Sequence, residues 1–352
     1  MFRRRISKDH ALNLKAGELV EVRSREEILA TLDERGCLDA MPFMPEMLKY
    51  CGQRIRVRKS AHKTCDTIGF QGARKLKRTV HLEGTRCDGH AHGGCQAACT
   101  LFWKDAWLRR VEAGTAHVAL VDSNSTVGPT PELGGPEEQI LLNATRDAAV
   151  AGEVVYRCQA TELNRASEIL PWWDFRQYVK DVTSGNVSVF RIVRALGFWL
   201  FTKLLRIGAY RALIQIYDTV QRKIGGTPYP FKYGTCDKTP SAKLDLQPGE
   251  LVYVRSQADI LTTVNARNRN RGLSFDEEMV GFCGGTYRVR ARVERIINER
   301  TGKMTQLGSD CIILEGVTCQ SNFKNQRLFC PRSIFPYWRE IWLQRIGEDM
   351  RR

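Results

Sequence analysis

Leu12-Asn13-Leu14-Lys15-Ala16-Gly17-Glu18-Leu19-Val20-Glu21-Val22-Arg23-Ser24 returns as Leu244-Asp245-Leu246-Gln247-Pro248-Gly249-Glu250-Leu251-Val252-Tyr253-Val254-Arg255-Ser256, 232 residues further on. Working outward at that offset, Ile28-Leu29 meets Ile260-Leu261, Met47 meets Met279, and Cys51-Gly52 meets Cys283-Gly284. Arg56-Val57-Arg58 then meets Arg288-Val289-Arg290, and Leu82-Glu83-Gly84 meets Leu314-Glu315-Gly316. After a loop three residues longer in the second copy, Trp103, Trp107, Leu108, Arg110 and Val111 meet Trp338, Trp342, Leu343, Arg345 and Ile346. So many matches in order are an internal duplication, which constrains the fold more than any single motif.

Each copy spans about 100 residues, an ordinary domain size. Glu18 to Val22, Arg54 to Arg58 and Thr286 to Arg290 alternate polar and apolar residues, the period of half-buried strands. Ser24 with Glu27 three residues later forms a capping-box pattern, so Arg25 to Leu32 is expected to be a short helix. The tails Trp103 to Val111 and Trp338 to Ile346 carry apolar groups at helical spacing and are expected to be closing helices with buried tryptophans. The expected class is α+β, with two tandem β-rich modules at 12–113 and 240–352 joined by a helical segment at 114–239. In pattern, each module resembles an SH3-like barrel.

Between the copies, Ser125 to Glu138 is rich in Gly and Pro and reads as a linker. A helix is predicted over 187–224, where Val189, Ile192, Val193, Leu196, Leu200, Leu204, Ile207, Leu213, Ile214 and Tyr217 recur at steps of one to six residues, most of them three or four, among Arg191, Arg194, Lys203, Arg206 and Arg211. Such a basic amphipathic helix either packs its apolar side on the modules or docks on an anionic membrane surface or an acidic partner.

The chain of 352 residues is 43% hydrophobic and 26% charged, which excludes wholesale disorder and a fibrous repeat. Its net charge of +15 favours acidic partners. Residues 187–239 hold nine basic and two acidic residues, so a second basic block starts near Val187. Arg54-Arg56-Arg58-Lys59, its counterpart Arg288-Arg290-Arg292, and the cluster Arg74-Lys75-Leu76-Lys77-Arg78 are candidate phosphate contacts, which makes nucleic acid an alternative partner. No apolar run follows the basic Met1-Phe2-Arg3-Arg4-Arg5, so a cytoplasmic protein, with peripheral membrane association as an option, is expected. In that reducing compartment 12 cysteines point to metal ligation or buried thiols before disulfides.

The duplication sorts the cysteines. Cys51 pairs with Cys283, Cys87 with Cys319 and Cys95 with Cys330; Cys65 and Cys99 belong to the first copy alone and Cys311 to the second. The densest constellation, Cys87-Asp88-Gly89-His90-Ala91-His92-Gly93-Gly94-Cys95-Gln96-Ala97-Ala98-Cys99, gathers three thiols and two imidazoles within thirteen residues. Thiolates are soft donors suited to zinc and to iron–sulfur clusters. Two ligand sets compete: Cys65, Cys87, Cys95 and Cys99 for an iron–sulfur cluster, or Cys87, His92, Cys95 and Cys99 for zinc. Cys51, Cys283, Cys319 and Cys330 are further candidates, but the second copy has no histidine and its thiols are dispersed. Asp88 and His90 are candidate acid–base groups beside a metal-bound water. The chain lacks a P-loop, a G-x-G-x-x-G opening a helix, an H-E-x-x-H and a G-x-S-x-G. The sequence therefore points to a cysteine-rich metal-binding protein with a redox, accessory or metal-dependent enzymatic role.

Overall fold

The structure is a computed structural model that describes residues 12–69, 72–111, 136–150, 153–205 and 210–347. The basic amino terminus and most of the linker, up to residue 135, lie outside these residues. The chain divides into two compact units: Met1–Gly93, Thr100–Ser188 and Glu299–Lys303 form the first; Gly94–Cys99, Val189–Asn298 and Met304–Arg352 form the second. The division at Ser188 falls where the second basic block begins.

In the first unit the elements are β1 (Leu19–Val22), α1 (Arg25–Leu29), β2 (Cys37–Leu38), β3 (Met41–Pro42), β4 (Arg54–Ser60), β5 (Lys63–Cys65), β6 (Ala73–Lys75), β7 (Thr79–Leu82), β8 (Trp103–Lys104) and β9 (Leu108–Arg110). They are followed by α2 (Pro136–Ala144), β10 (Arg146–Val150), β11 (Glu153–Tyr156), β12 (Glu168–Leu170) and α3 (Arg176–Thr183). Val20 and Val22 of β1 are fully buried while Leu19 and Glu21 between them are half-buried, the alternation the sequence shows. α1 starts where expected, because the Ser24 hydroxyl accepts from the Glu27 amide and the Glu27 carboxylate accepts from the Ser24 amide.

The main antiparallel sheet has the order β8-β7-β4-β1-β9. Its edge strands end at Lys104 and begin at Leu108, so the connecting chain reaches at most about 14 Å. A flat sheet would separate first and fifth strands by about 19 Å. The sheet is therefore strongly curled, helped by a bulge between Val57 and Lys59 on β4.

The tail is not a helix. Trp103 lies on β8, Asp105–Trp107 make one turn of 3-10 helix, and β9 pairs with β1 as Val20↔Arg110 and Val22↔Leu108. The three-residue turn returns Trp107 to the side that Trp103 faces, so a spacing of four mimics a helix. Both rings are fully buried and meet Phe43 edge-on at 6.2 and 5.1 Å. A second sheet, β12-β6-β5, holds the Arg74-Lys75 pair on its middle strand. The segment from α2 to α3 is tied to this unit by the Asn186 side chain, which accepts from the Ser60 amide and donates to the Ser60 carbonyl, both at 2.8 Å, and by a buried Lys63–Asp181 ion pair of 2.6 Å.

The second unit contains α4 (Val189–Leu204), α5 (Tyr210–Lys223), β13 (Leu251–Val254), α6 (Gln257–Leu261), β14 (Arg269–Asn270), β15 (Leu273–Ser274), β16 (Thr286–Arg292), β17 (Arg295–Ile297), β18 (Met304–Gln306), β19 (Ile312–Leu314) and β20 (Leu343–Arg345). The single helix predicted over 187–224 is two helices, and Ile207, Arg206 and Gly208 between them lie outside the described residues.

The duplication is visible in register. Leu19↔Arg56 is repeated as Leu251↔Arg288, Val20↔Arg110 as Val252↔Arg345, and the bulge after Val57 as the bulge after Val289. Val80↔Trp103 returns as Ile312↔Trp338, and Trp107 Nε1 donating to Thr31 as Trp342 Nε1 donating to Thr263. Again the tail is strand and 3-10 turn, with Trp338 and Trp342 fully buried. The chain is thus a mixture of helices and many small antiparallel sheets, and among the described residues neither main sheet closes by backbone pairing.

Candidate metal centre

In the first unit, Pro45–Tyr50 form a 3-10 helix before β4. Residues three apart eclipse in such a helix, so Glu46 and Lys49 point the same way, toward the loop that follows β7. Lys49 Nζ pairs with Asp88 at 3.1 Å, and the other Asp88 oxygen accepts from the His90 amide at 3.0 Å. Gly89 and Gly93, both at φ +74°, bracket a single 3-10 turn, His90–His92. A β-carbon is costly at such φ, which is why glycines stand here. Thr145 holds the turn from behind by donating to the Ala91 carbonyl at 3.0 Å.

The turn carries His92 inward, where its Nε2 lies 3.3 Å from the Cys87 Sγ. Glu46 completes the group: one ligand atom from each of Glu46, Cys87 and His92 lies within 4.8 Å of the others. Among the described residues no other set of three histidine, cysteine or acidic side chains meets that condition. Glu46 and His92 are 6% and 1% exposed, which decides their electrostatics. Burial pushes the Glu46 carboxyl up to about 7, and the Asp88 charge adds to that. Burial likewise pushes His92 down to about 4, leaving a neutral imidazole at neutral pH. Neither Glu46 oxygen has a hydrogen-bond partner, nor does His92 Nδ1. Asp88 is held below the usual carboxylate range: burial opposes this, but the His90 amide and Lys49 outweigh it.

Buried polar atoms without partners are costly, roughly 1–3 kcal/mol each, and native interiors seldom keep three together. Sulfur, imidazole nitrogen and carboxylate oxygen converging in one buried place is a donor set for a divalent cation. Its charge would compensate the thiolate and carboxylate together.

The remaining sequence candidates are distributed as follows. Cys65 is buried on β5, opposite Ala73. Cys95 and Cys99 belong to the second unit, where Cys95 Sγ accepts from the Ile297 amide at 3.4 Å. Cys51 and Cys283 occupy matching positions at the ends of matching 3-10 helices, with thiols pushed by burial up to about 11 and about 12. Cys319 Sγ lies 3.5 Å from the Ser321 hydroxyl, and Cys330 is buried. All twelve cysteines are outside disulfides.

Glu46 stands 41 residues before Cys87, outside the cluster of thiols and imidazoles that the sequence makes visible. The duplication held the signal: at the common offset Glu46-Met47 is repeated as Glu278-Met279.

The basic strands are engaged within their own copies. Arg56 donates to the Gly17 carbonyl and Arg288 to the Gly249 carbonyl, while Arg292 pairs with Glu340 at 2.5 Å. Arg74 is buried against Ser167 and the Asn164 carbonyl. Among the candidate phosphate contacts, Arg56, Lys75, Lys77, Arg78, Arg288 and Arg290 are nonetheless exposed. Compared with known protein families, with curated proteins and with solved structures, the chain matches none.

Proposed function

We propose that the protein binds one zinc ion through Cys87, His92 and Glu46, and that this ion serves a metal-dependent or accessory chemical role. The supporting observation is the convergence of three donor atoms, from buried Glu46 and His92 and half-buried Cys87, of which both carboxylate oxygens and the imidazole Nδ1 lack hydrogen-bond partners. A mixed sulfur, nitrogen and oxygen set favours zinc over an iron–sulfur cluster, which takes thiolates as its ligands. Three protein ligands leave a fourth position for water or substrate, the pattern of zinc sites that do chemistry rather than only brace a fold. Zinc there would supply Lewis acidity and lower the pKa of a bound water. The chain's own residues would position it: Lys49 and Asp88 fix the loop, and Thr145 fixes the turn that aims His92.

The scaffold in this reading is a pair of SH3-like barrels, 12–113 and 240–352, with 114–239 joining them. Its support is the matched strand order and the single 3-10 turn before the last strand of each copy.

Cobalt(II) reports the site directly. Metal-free protein titrated with Co(II) is expected to take up one equivalent, with a thiolate-to-cobalt band in the near ultraviolet and intense tetrahedral bands in the visible. Cys87→Ser should abolish the near-ultraviolet band and His92→Ala should weaken binding at least tenfold. A wild-type titration without these bands, or an unchanged spectrum in Cys87→Ser, overturns the assignment. Protein isolated anaerobically with brown colour, iron and sulfide would replace it with a cluster.

A further inference from the structure

α4 has two faces of opposite use. Phe198 and Phe201 turn inward to an aromatic group with Tyr217, Tyr229, Phe231 and Phe323, with centroid separations from 5.1 to 6.4 Å. Arg191 is committed to the same side, donating to the Asn322 side chain and the Gln320 carbonyl. The other face carries Val189, Val193, Leu196, Leu200 and Leu204 at steps of four and three, each more than half exposed, with Phe190 beside them at 77%. At 100° per residue these six side chains fill an arc of about 120°. Lys203 borders it on one side and Arg194 on the other, both exposed. α4 contains no Asp or Glu. α5 repeats the theme more weakly: Ile216 and Val220 are exposed, and Arg222 and Lys223 follow in its last turn.

We propose that this face of α4 lies in the plane of an anionic lipid bilayer. The aromatic group anchors the helix from behind, so the stripe is not available to the unit's own core. The arrangement of an apolar stripe with basic residues at both margins suits the boundary between acyl chains and anionic headgroups, where Lys and Arg reach outward to the phosphates. Self-association is the poorer match, because two such faces would bring basic margins together with no carboxylate on α4 to offset them. None of the described helices is long and apolar enough to cross a membrane. Sixteen residues lie about 24 Å along the surface.

The test is cosedimentation of the full chain with vesicles of phosphatidylcholine alone and of phosphatidylcholine with 30% phosphatidylserine. Wild-type protein is expected to sediment with the anionic vesicles only, and less as salt is raised. Leu196→Glu with Leu200→Glu should weaken binding at least tenfold, and Arg194→Glu with Lys203→Glu should do so through charge alone. Because all four side chains are exposed, both variants should keep the wild-type thermal midpoint. Wild-type protein that stays in solution with either vesicle overturns the proposal, as does equal binding by the variants or equal binding to neutral vesicles. A vesicle-free dimer dissolved by Leu196→Glu with Leu200→Glu would assign the stripe to a second copy instead.

Discussion

Glu46 and Glu278 are the same residue in the two copies, on the same 3-10 helix, yet their carboxylates meet opposite fates. Glu278 accepts from the backbone amides of Asn322 and Phe323 at 2.9 and 2.7 Å, while Glu46 accepts from no loop amide and faces the Cys87 thiol and His92. In the second copy the loop's own amides occupy the position toward which the carboxylate points, and no histidine is present. In the first, Gly89 and Gly93 turn the loop so that a thiol and an imidazole arrive there in place of amides. One scaffold, duplicated, therefore has a plugged site and an open one. The open copy carries a buried acid whose carboxyl is raised to about 7, a cost that a bound cation reverses.

The shared part of the scaffold gives the largest expected effect. Trp107→Ala and Trp342→Ala each remove a fully buried ring and the hydrogen bond it donates to Thr31 or Thr263, so each should cost about 3–5 kcal/mol in urea unfolding. Unequal losses of more than about 2 kcal/mol would mean that the copies are not energetically equivalent in their cores.

The carboxylates themselves should respond with opposite sign in chelator-treated protein. Glu278→Ala leaves two half-buried amides without their acceptor and should destabilise by roughly 1–3 kcal/mol. Glu46→Met replaces a buried acid by an apolar chain of similar size and should stabilise at pH 8 by about 1–3 kcal/mol. The gain should shrink at pH 6. With a folded value near 7 and an unfolded one near 4.5, the folded wild type holds the extra proton between them and loses that advantage as pH rises through 7. If Glu46→Met destabilises the metal-free protein, Glu46 is a structural acid.

A smaller contrast concerns acid. Glu340 accepts from the amides of Leu244, Asp245 and Leu246 and from Arg292, and although burial opposes it, these bonds lower its pKa. The carboxyl of its counterpart Asp105 is pushed up by burial. Stability contributed by Glu340 is present above its unfolded pKa and lost as pH falls through its folded one; Asp105 contributes in the reverse sense, losing its favourable term as pH rises. Glu340→Gln should therefore narrow the fall in urea midpoint between pH 7 and pH 4, and Asp105→Asn should not. The smallest expected effect is that of Lys324→His. An imidazole in the second loop should bind no Co(II), because Glu278 is already engaged; tight binding there would show that the backbone plug is easily displaced.

What the sequence made legible was local or repeated. The Ser24–Glu27 box and the alternation of β1, β4 and β16 depend on neighbours, and both are present in the structure. The closing helices were misread because pairing of β9 with β1 across 85 or more residues overrides a four-residue tryptophan spacing. Of the candidate ligands, Cys87 and His92 come together because a short glycine-bounded turn joins them. Glu46 reaches them only through tertiary packing of a helix 41 residues upstream, and only comparison of the two copies marks it in advance. The exposed stripe of α4 follows the periodicity read from sequence, but which of its faces meets the core required the positions of Phe198 and Phe201.

The most direct test of the account is the metal content of the full chain purified without chelator, wild type beside His92→Ala. One zinc per chain, falling to none in His92→Ala while Glu278→Ala retains it, is the predicted result. Two zinc ions per chain, or one that persists in His92→Ala, would contradict an open site in the first copy and a plugged site in the second.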